Sequence, residues 1–366
     1  MYITILCKVV DNFGDIGVAW RLCRRLAQIQ SKYKICLVVD DLEAFSKIED
    51  GLSGCLAGGA KQSINIDGVE IFPWKDVDLC HEVFSQNDGE RLSLILELFQ
   101  CGRPDWMEGI LFEEKLNRTV QIIMIDYLTA EKYAEDFHCL QSLTRSAKVQ
   151  KVNFMPGFTQ KTGGLVIDEA WQELSEYKAD GPVLVFTYEK DWSPLAAALT
   201  EYCKEGGRKV LIAQGRGKES MLQAFDAADG RDKCLELDYL NQTEWDQIMK
   251  KCSALVIRGE ESMSRACLSG IPFIWHAYPQ SDEYQLVKVK ALLERMRQHF
   301  DERDFDVVEK AWVEINSPVG NGNPYSDFFA AVPRLVPGFR DFAASLRKNG
   351  DLASNLMTYI EKLAII

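Results

Sequence analysis

Two aspartates, Asp11 and Asp15, stand four residues apart in the run DNFGDIG, directly after the apolar opening segment MYITILCKVV. If the first lies in a turn and the second in the first turn of a helix, both carboxylates can face one point. Two carboxylates grip a cation through charge-assisted hydrogen bonds, and one of them can take a proton as a new bond forms. On spacing alone, the pair also reads as a turn aspartate and a helix cap. The glycines do not make a GxGxxG pattern, so no dinucleotide site is read here.

A second constellation is ALVIRGEESMSRACLSG. Arg258 ends an apolar run with strand character, and Glu260, Glu261 and Ser262 open a helical one. Free amides and the dipole at a helix start favour a phosphate, and Arg258 adds a fixed positive charge. A leaving diphosphate can be neutralised this way without a metal. Glu260 can accept hydrogen bonds from sugar hydroxyls. The competing reading is an ordinary capped helix with surface acids.

A third set is aromatic: Phe186 and Tyr188 in LVFTYE, Tyr239 in LDYLNQ, and Tyr278 in WHAYPQ. Each ends or follows a strand-like run. A ring at such a position can stack a nucleobase, worth roughly 1–3 kcal/mol per base. Gln242 carries an amide that can read the base edge. Core or rim packing is the alternative for these rings.

The elements that must hold these groups are legible as alternation. A first strand spans Tyr2 to Val10, and a helix from near Ile16 carries Ala19, Trp20, Cys23, Leu26 and Ala27 on one face. Strands are predicted at KICLVVD, VEIFPW and QIIMIDYL, and less firmly at SLILELF. KVNFMPGFTQKTGGLV reads as ordered loop, and DEAWQELSEYKAD as a polar helix. A second series follows, with strands GPVLVFTYE, KVLIAQ, CLELDYL, ALVIRG and IPFIWHAY alternating with helices. Such alternation builds a mostly parallel, doubly wound sheet. Two of them in tandem predict two Rossmann-like domains with a cleft between them.

Length and composition agree with two ordered domains. The chain has 366 residues, long for one core. Hydrophobic residues make up 47% and charged residues 27%, a globular balance that argues against extended disorder. The net charge of −13 is the wrong sign for a nucleic-acid binder. No apolar run reaches the roughly 18 residues of a membrane span. The N-terminus has no basic segment or small-residue cleavage site. Eleven cysteines without a CxxC pair, and four histidines that do not cluster with them, read as reduced thiols rather than a zinc site. A cytoplasmic protein is expected, with no metal, nucleic-acid or membrane partner.

Five runs in order, CKVVDNFGDIGVAWRL, IDYLTAEKY, NFMPGFTQKTGGL, RGEESMSRA and PFIWHAYPQ, resemble the signatures of the bacterial protein-arginine rhamnosyltransferases of elongation factor P, the EarP family. The resemblance spans nearly the whole chain. It implies a GT-B fold: two facing Rossmann-like domains, with the C-terminal helix returning to the first. The implied division is 1–178 for the acceptor, 179–345 for the donor and 346–366 for the returning helix. It implies inverting, metal-independent transfer of L-rhamnose from dTDP-β-L-rhamnose to an arginine of the factor. Carried over by position, Asp15 matches the general base and Asp11 its partner. Phe186, Tyr188, Tyr239 and Gln242 match the nucleotide pocket. Arg258, Glu260, Glu261, Ser262 and Tyr278 match the diphosphate and sugar site. Glu261 and Met263 stand where the family is expected to have Asp and an aromatic, and Tyr239 and Trp245 where it usually has Phe. Read without the resemblance, the residues leave open another GT-B enzyme or epimerase using a UDP-sugar, or an inactive binding module.

Overall fold

The structure, a computed structural model, describes residues 1–10, 13–52, 63–113, 116–318 and 323–363. These fall into two compact units, Met1–Asp168 with Asn349–Ile366, and Glu169–Lys348.

The first unit has an eight-stranded sheet of β1 (Tyr2–Cys7), β2 (Lys34–Val39), β3 (Ile64–Ile66), β4 (Val69–Pro73), β5 (Leu94–Leu98), β6 (Val120–Ile125), β7 (Gln141–Ser142) and β8 (Val149–Asn153). Its spatial order is β3-β4-β2-β1-β5-β6-β8-β7. The inner strands pair in parallel, and only the edge strands β3 and β7 run antiparallel. Continuous apolar runs such as ICLVV suit strands buried on both faces. Helices α1 (Gly14–Ile29), α2 (Leu42–Ser46), α3 (Val77–Gly89), α4 (Asp105–Phe112) and α5 (Tyr133–Phe137) belong to this unit.

Helix α1 buries Ile16, Ala19, Trp20, Cys23 and Leu26 on one stripe, the spacing read from the sequence. Trp20 packs edge-on against Phe45 at 5.1 Å. The stripe shares its core with Leu352, Leu356 and Ile360 of the C-terminal helix. That helix therefore belongs to the first unit. It is tied there by Arg25 to Asp351 at 3.0 Å and by the Ile167 amide to Asp351 at 2.9 Å.

The second unit has a five-stranded, all-parallel sheet: β9 (Val183–Val185), β10 (Val210–Ile212), β11 (Cys234–Glu236), β12 (Ala254–Arg258) and β13 (Phe273–His276). The order is β11-β10-β9-β12-β13. Its helices are α6 (Ser193–Lys204), α7 (Lys218–Ala227), α8 (Gln242–Met249), α9 (Glu260–Ser269), α10 (Tyr284–Met296), α11 (Glu302–Asn316) and α12 (Asn323–Lys348); α13 (Leu352–Leu363) is the returning helix.

Two segments differ from the sequence reading. Lys151–Asn153, read as loop, completes β8 beside β6. The polar helix expected over DEAWQELSEYKAD is instead a short 3-10 turn, Glu169–Trp171, followed by irregular chain. Its carbonyls are claimed from outside. Arg347 donates to those of Trp171, Gln172 and Glu173, and Arg340 to that of Ser175. With backbone acceptors satisfied by tertiary partners, helix propensity loses its advantage.

Candidate functional site

In an open parallel sheet, ligands settle past the carboxyl ends of strands where the winding reverses. In the first unit the chain winds from β1 outward to β2 and β4, then crosses to β5 on the other side, so the reversal lies between β1 and β5. Asp15 stands there, in the first turn of α1. It is buried, at 2% exposure, and its Oδ2 accepts the Val10 N–H at 2.8 Å. One strand over, Asp40 accepts the Val9 N–H at 2.8 Å. The two carboxylates thus fix the backbone of the strand-to-helix turn. Beneath it, burial and then the Asp15 charge push the Cys7 thiol well up, which keeps it neutral. Asp11 lies outside the described residues.

In the second unit the reversal lies between β9 and β12. Phe186 and Tyr188 leave β9 there, and Arg258 ends β12. The Arg258 guanidinium carbon sits 4.4 Å from the Phe186 ring centroid and 4.5 Å from that of Tyr188. The sequence reading gave both rings to a nucleobase; the structure shows each of them in contact with this cation. Phe186 also meets Trp245 of α8 edge-on at 5.2 Å, and Tyr188 meets Tyr278 edge-on at 5.3 Å. Phe186, Tyr188, Arg258 and Tyr278 therefore form one cluster. Tyr239 and Tyr278 are exposed at 65% and 51%, which leaves ring surface available for stacking. Gln242 is the first residue of α8, behind a capping box of Asn241 and Glu244. The indole N–H of Trp245 is buried with no hydrogen-bond acceptor among the described residues.

Helix α9 opens directly after Arg258. Gly259, between β12 and α9, takes φ 73°, a region that favours glycine. Its carbonyl accepts the Trp275 indole N–H at 3.2 Å. Glu260 and Glu261 occupy the first turn with the buried Ser262, and Glu260 pairs with Lys288 at 3.1 Å. A fixed guanidinium beside an open helix start is an anion-binding arrangement.

Three contributors were not singled out from the sequence. Gly215 and Gly217, in QGRGK after β10, press against the cluster. A Cβ on Gly215 would come within 2.9 Å of Phe186 and 3.0 Å of Arg258, and one on Gly217 within 2.6 Å of the Thr187 and Tyr188 carbonyls. Two glycines around one residue after a strand are the signal that was available. The third is His276 at the end of β13. Its Nδ1 accepts the Tyr188 N–H at 3.3 Å, and its ring packs on Tyr188 and Trp192. Burial, then the Lys190 and Arg258 charges, lower its pKa to about 3, so it is a neutral prop. Among the described residues, no three His, Cys, Asp or Glu side chains gather as a metal-binding set, and no helix is long and apolar enough to cross a membrane.

Comparison with known proteins bears on these arrangements. Residues 3–361 match the family model described as "Elongation-Factor P (EF-P) rhamnosyltransferase EarP". The chain is 28% identical to a protein-arginine rhamnosyltransferase of Shewanella oneidensis, over 98% of this chain and 97% of the relative. It is likewise 28% identical to one of Pseudomonas aeruginosa, over 97% of each. Among solved structures, it resembles one concerned with EarP-mediated arginine glycosylation of translation elongation factor EF-P, with TM-score 0.59, 17% identity and 99% of both chains covered. It also resembles the spinosyn rhamnosyltransferase SpnG, with TM-score 0.50, 11% identity, and 98% and 99% covered. At those identities the likeness speaks to fold, which is the GT-B class.

Proposed function

The chain belongs to the EarP family of elongation factor P rhamnosyltransferases, and from that premise we propose that it transfers L-rhamnose from dTDP-β-L-rhamnose to an arginine of elongation factor P, with inversion at the anomeric carbon. The observation that carries the reading is Asp15, a buried carboxylate held by the Val10 amide at the reversal of the first sheet.

Arginine resists attack on a sugar because its guanidinium is planar, delocalised and charged. Asp15, with Asp11 as partner, would orient one guanidinium nitrogen toward the anomeric carbon. As the new C–N bond forms and the bond from anomeric carbon to phosphate oxygen breaks, Asp15 takes the nitrogen's proton and the electron pair leaves with dTDP. Attack from the face opposite the leaving group inverts the centre. Arg258 and the first amides of α9 stabilise the departing diphosphate. Glu260, Glu261 and Ser262 line the sugar side. Phe186 and Tyr188 hold Arg258 in place, Tyr239 and Gln242 take the nucleoside, and Tyr278 joins the diphosphate and sugar side. No metal is required, because the positive charge is built into the protein.

The test is a product analysis. With dTDP-β-L-rhamnose and elongation factor P, NMR of the modified factor should show an α-linked rhamnosyl arginine. A β-linked product would overturn inversion. Transfer that UDP inhibits as well as dTDP does would overturn the assignment of the donor as a thymidine diphosphate sugar.

A further inference from the structure

Strand β13 is an edge of the second sheet, bonded to β12 on one side only. The outer side of an edge strand leaves N–H and C=O groups without a ladder. Here helix α11 packs against the strand and supplies side chains instead. The Trp312 indole N–H donates to the Phe273 carbonyl at 2.7 Å. One turn on, the Asn316 side chain donates to the Trp275 carbonyl at 2.7 Å and accepts the Ala277 N–H at 2.9 Å. Residues four apart on a helix rise about 6 Å, close to the span of two strand residues, so the two side chains keep step with the edge. Asn316 is buried, at 5% exposure, and also donates to the Trp312 carbonyl at 2.7 Å. Its amide does what a neighbouring strand would do for the two peptide groups that flank His276.

The same device continues past the strand. Gln285, on α10 and buried, donates from its side chain to the Asn316 carbonyl at 3.2 Å and accepts the Gln280 N–H at 3.1 Å. Tyr278 thus sits between two held amides, those of Ala277 and Gln280. Its ring is half exposed, so the backbone on either side, rather than packing around the ring, decides where it stands. Tyr188, which it meets edge-on at 5.3 Å, is tied to the same helix end. Two residues on from Tyr188, the Lys190 ammonium donates to the carbonyls of Glu314, Ile315 and Ser317 at 3.2, 3.1 and 2.7 Å. A cation there matches the negative end of the helix dipole. One helix end therefore holds both the chain leaving β9 and the chain leaving β13, the two strands that neighbour β12 and its terminal Arg258.

We propose that Asn316 and Gln285 are positioning residues of the donor site: they hold the chain after β13 so that Tyr278 stands against Tyr188 beside Arg258, and through Tyr278 they set the affinity for the diphosphate end of the donor. The inference rests on the reading of this cluster as the donor site, given above. Both side chains bond backbone groups and act through the ring they place. A half-exposed ring that must meet a ligand binds better when its backbone is already in position, because the ordering is then complete before binding.

The test is calorimetric binding of dTDP-β-L-rhamnose, dTDP and thymidine to the whole protein. Asn316→Leu, or Gln285→Leu if the first does not fold, should raise the dissociation constants of dTDP-β-L-rhamnose and dTDP about fivefold and leave that of thymidine within about twofold. In a Tyr278→Ala background the same substitution should change them by less than about twofold, because residues that act through one another are not additive. Val308→Ala removes buried volume from the same helix. It should lower the unfolding midpoint and leave all three constants unchanged. A loss that persists in full without the Tyr278 ring overturns the proposal, as does an equal loss in Val308→Ala. So do unchanged constants in a folded Asn316→Leu or Gln285→Leu protein. Wild type that binds neither dTDP compound sinks the donor-site reading and the proposal with it. Wild type that binds both but transfers no sugar to elongation factor P leaves the positioning role standing and sinks the proposed reaction.

Discussion

The Val10 amide donates to the Asp15 carboxylate at 2.8 Å across the turn from β1 to α1. This bond holds the carboxylate at the sheet's reversal, and any oxygen in that place can accept it. In Asp15→Asn the amide oxygen keeps the Val10 contact while basicity is lost. Dissociation of dTDP-rhamnose should stay within about twofold of wild type, and turnover should fall roughly 10²–10⁴-fold, the usual worth of a positioned base. Near-normal turnover in single-turnover assays would remove Asp15 from that role.

The Arg258 guanidinium lies against two rings. Lysine keeps the charge but neither the plane nor the fork. Arg258→Lys should raise the dTDP dissociation constant about tenfold, equivalent to about 1.4 kcal/mol. Thymidine, which lacks phosphates, should bind both proteins equally. An equal loss for thymidine would place the defect in the aromatic cluster rather than at the phosphates.

Gly215 has no room for a methyl group beside Phe186 and Arg258. Gly215→Ala should therefore displace the guanidinium and weaken dTDP binding several-fold. An unfolding midpoint close to that of wild type would separate this local effect from a collapse of the second unit.

His276 stays neutral in the folded protein to about pH 3, while an unfolded histidine takes a proton near pH 6.5. Above pH 6.5 the group adds no pH dependence. As pH falls below that, the unfolded state binds the extra proton and stability declines until the folded pKa is reached. Between pH 6.5 and 5 the loss from this residue is about 2 kcal/mol. Urea unfolding at the two pH values should show His276→Gln losing correspondingly less than wild type. Equal losses would mean His276 is not buried neutral.

Strand and helix alternation was legible because buried parallel strands leave long apolar runs and α1 leaves a clear stripe. So were Asp15 at a helix start and Arg258 at a strand end, since the first residues past a parallel strand occupy the ligand edge. What the sequence does not carry is who partners whom. Arg258 over Phe186 and Tyr188 depends on the pairing of β9 with β12, far apart in the chain. His276 beneath Tyr188 depends on how β13 joins the same sheet. The irregular stretch after Trp171 has helical composition, but Arg340 and Arg347 hold its carbonyls from far along the chain.

The central claim is transfer of a deoxyhexose to one arginine of a protein. The direct measurement is the intact mass of elongation factor P after incubation with this protein and dTDP-β-L-rhamnose, followed by fragment mapping. The account predicts a gain of one deoxyhexose on a single arginine, formed far more slowly with Asp15→Asn. An unmodified factor, in the presence of enzyme shown to bind dTDP-rhamnose, would contradict it.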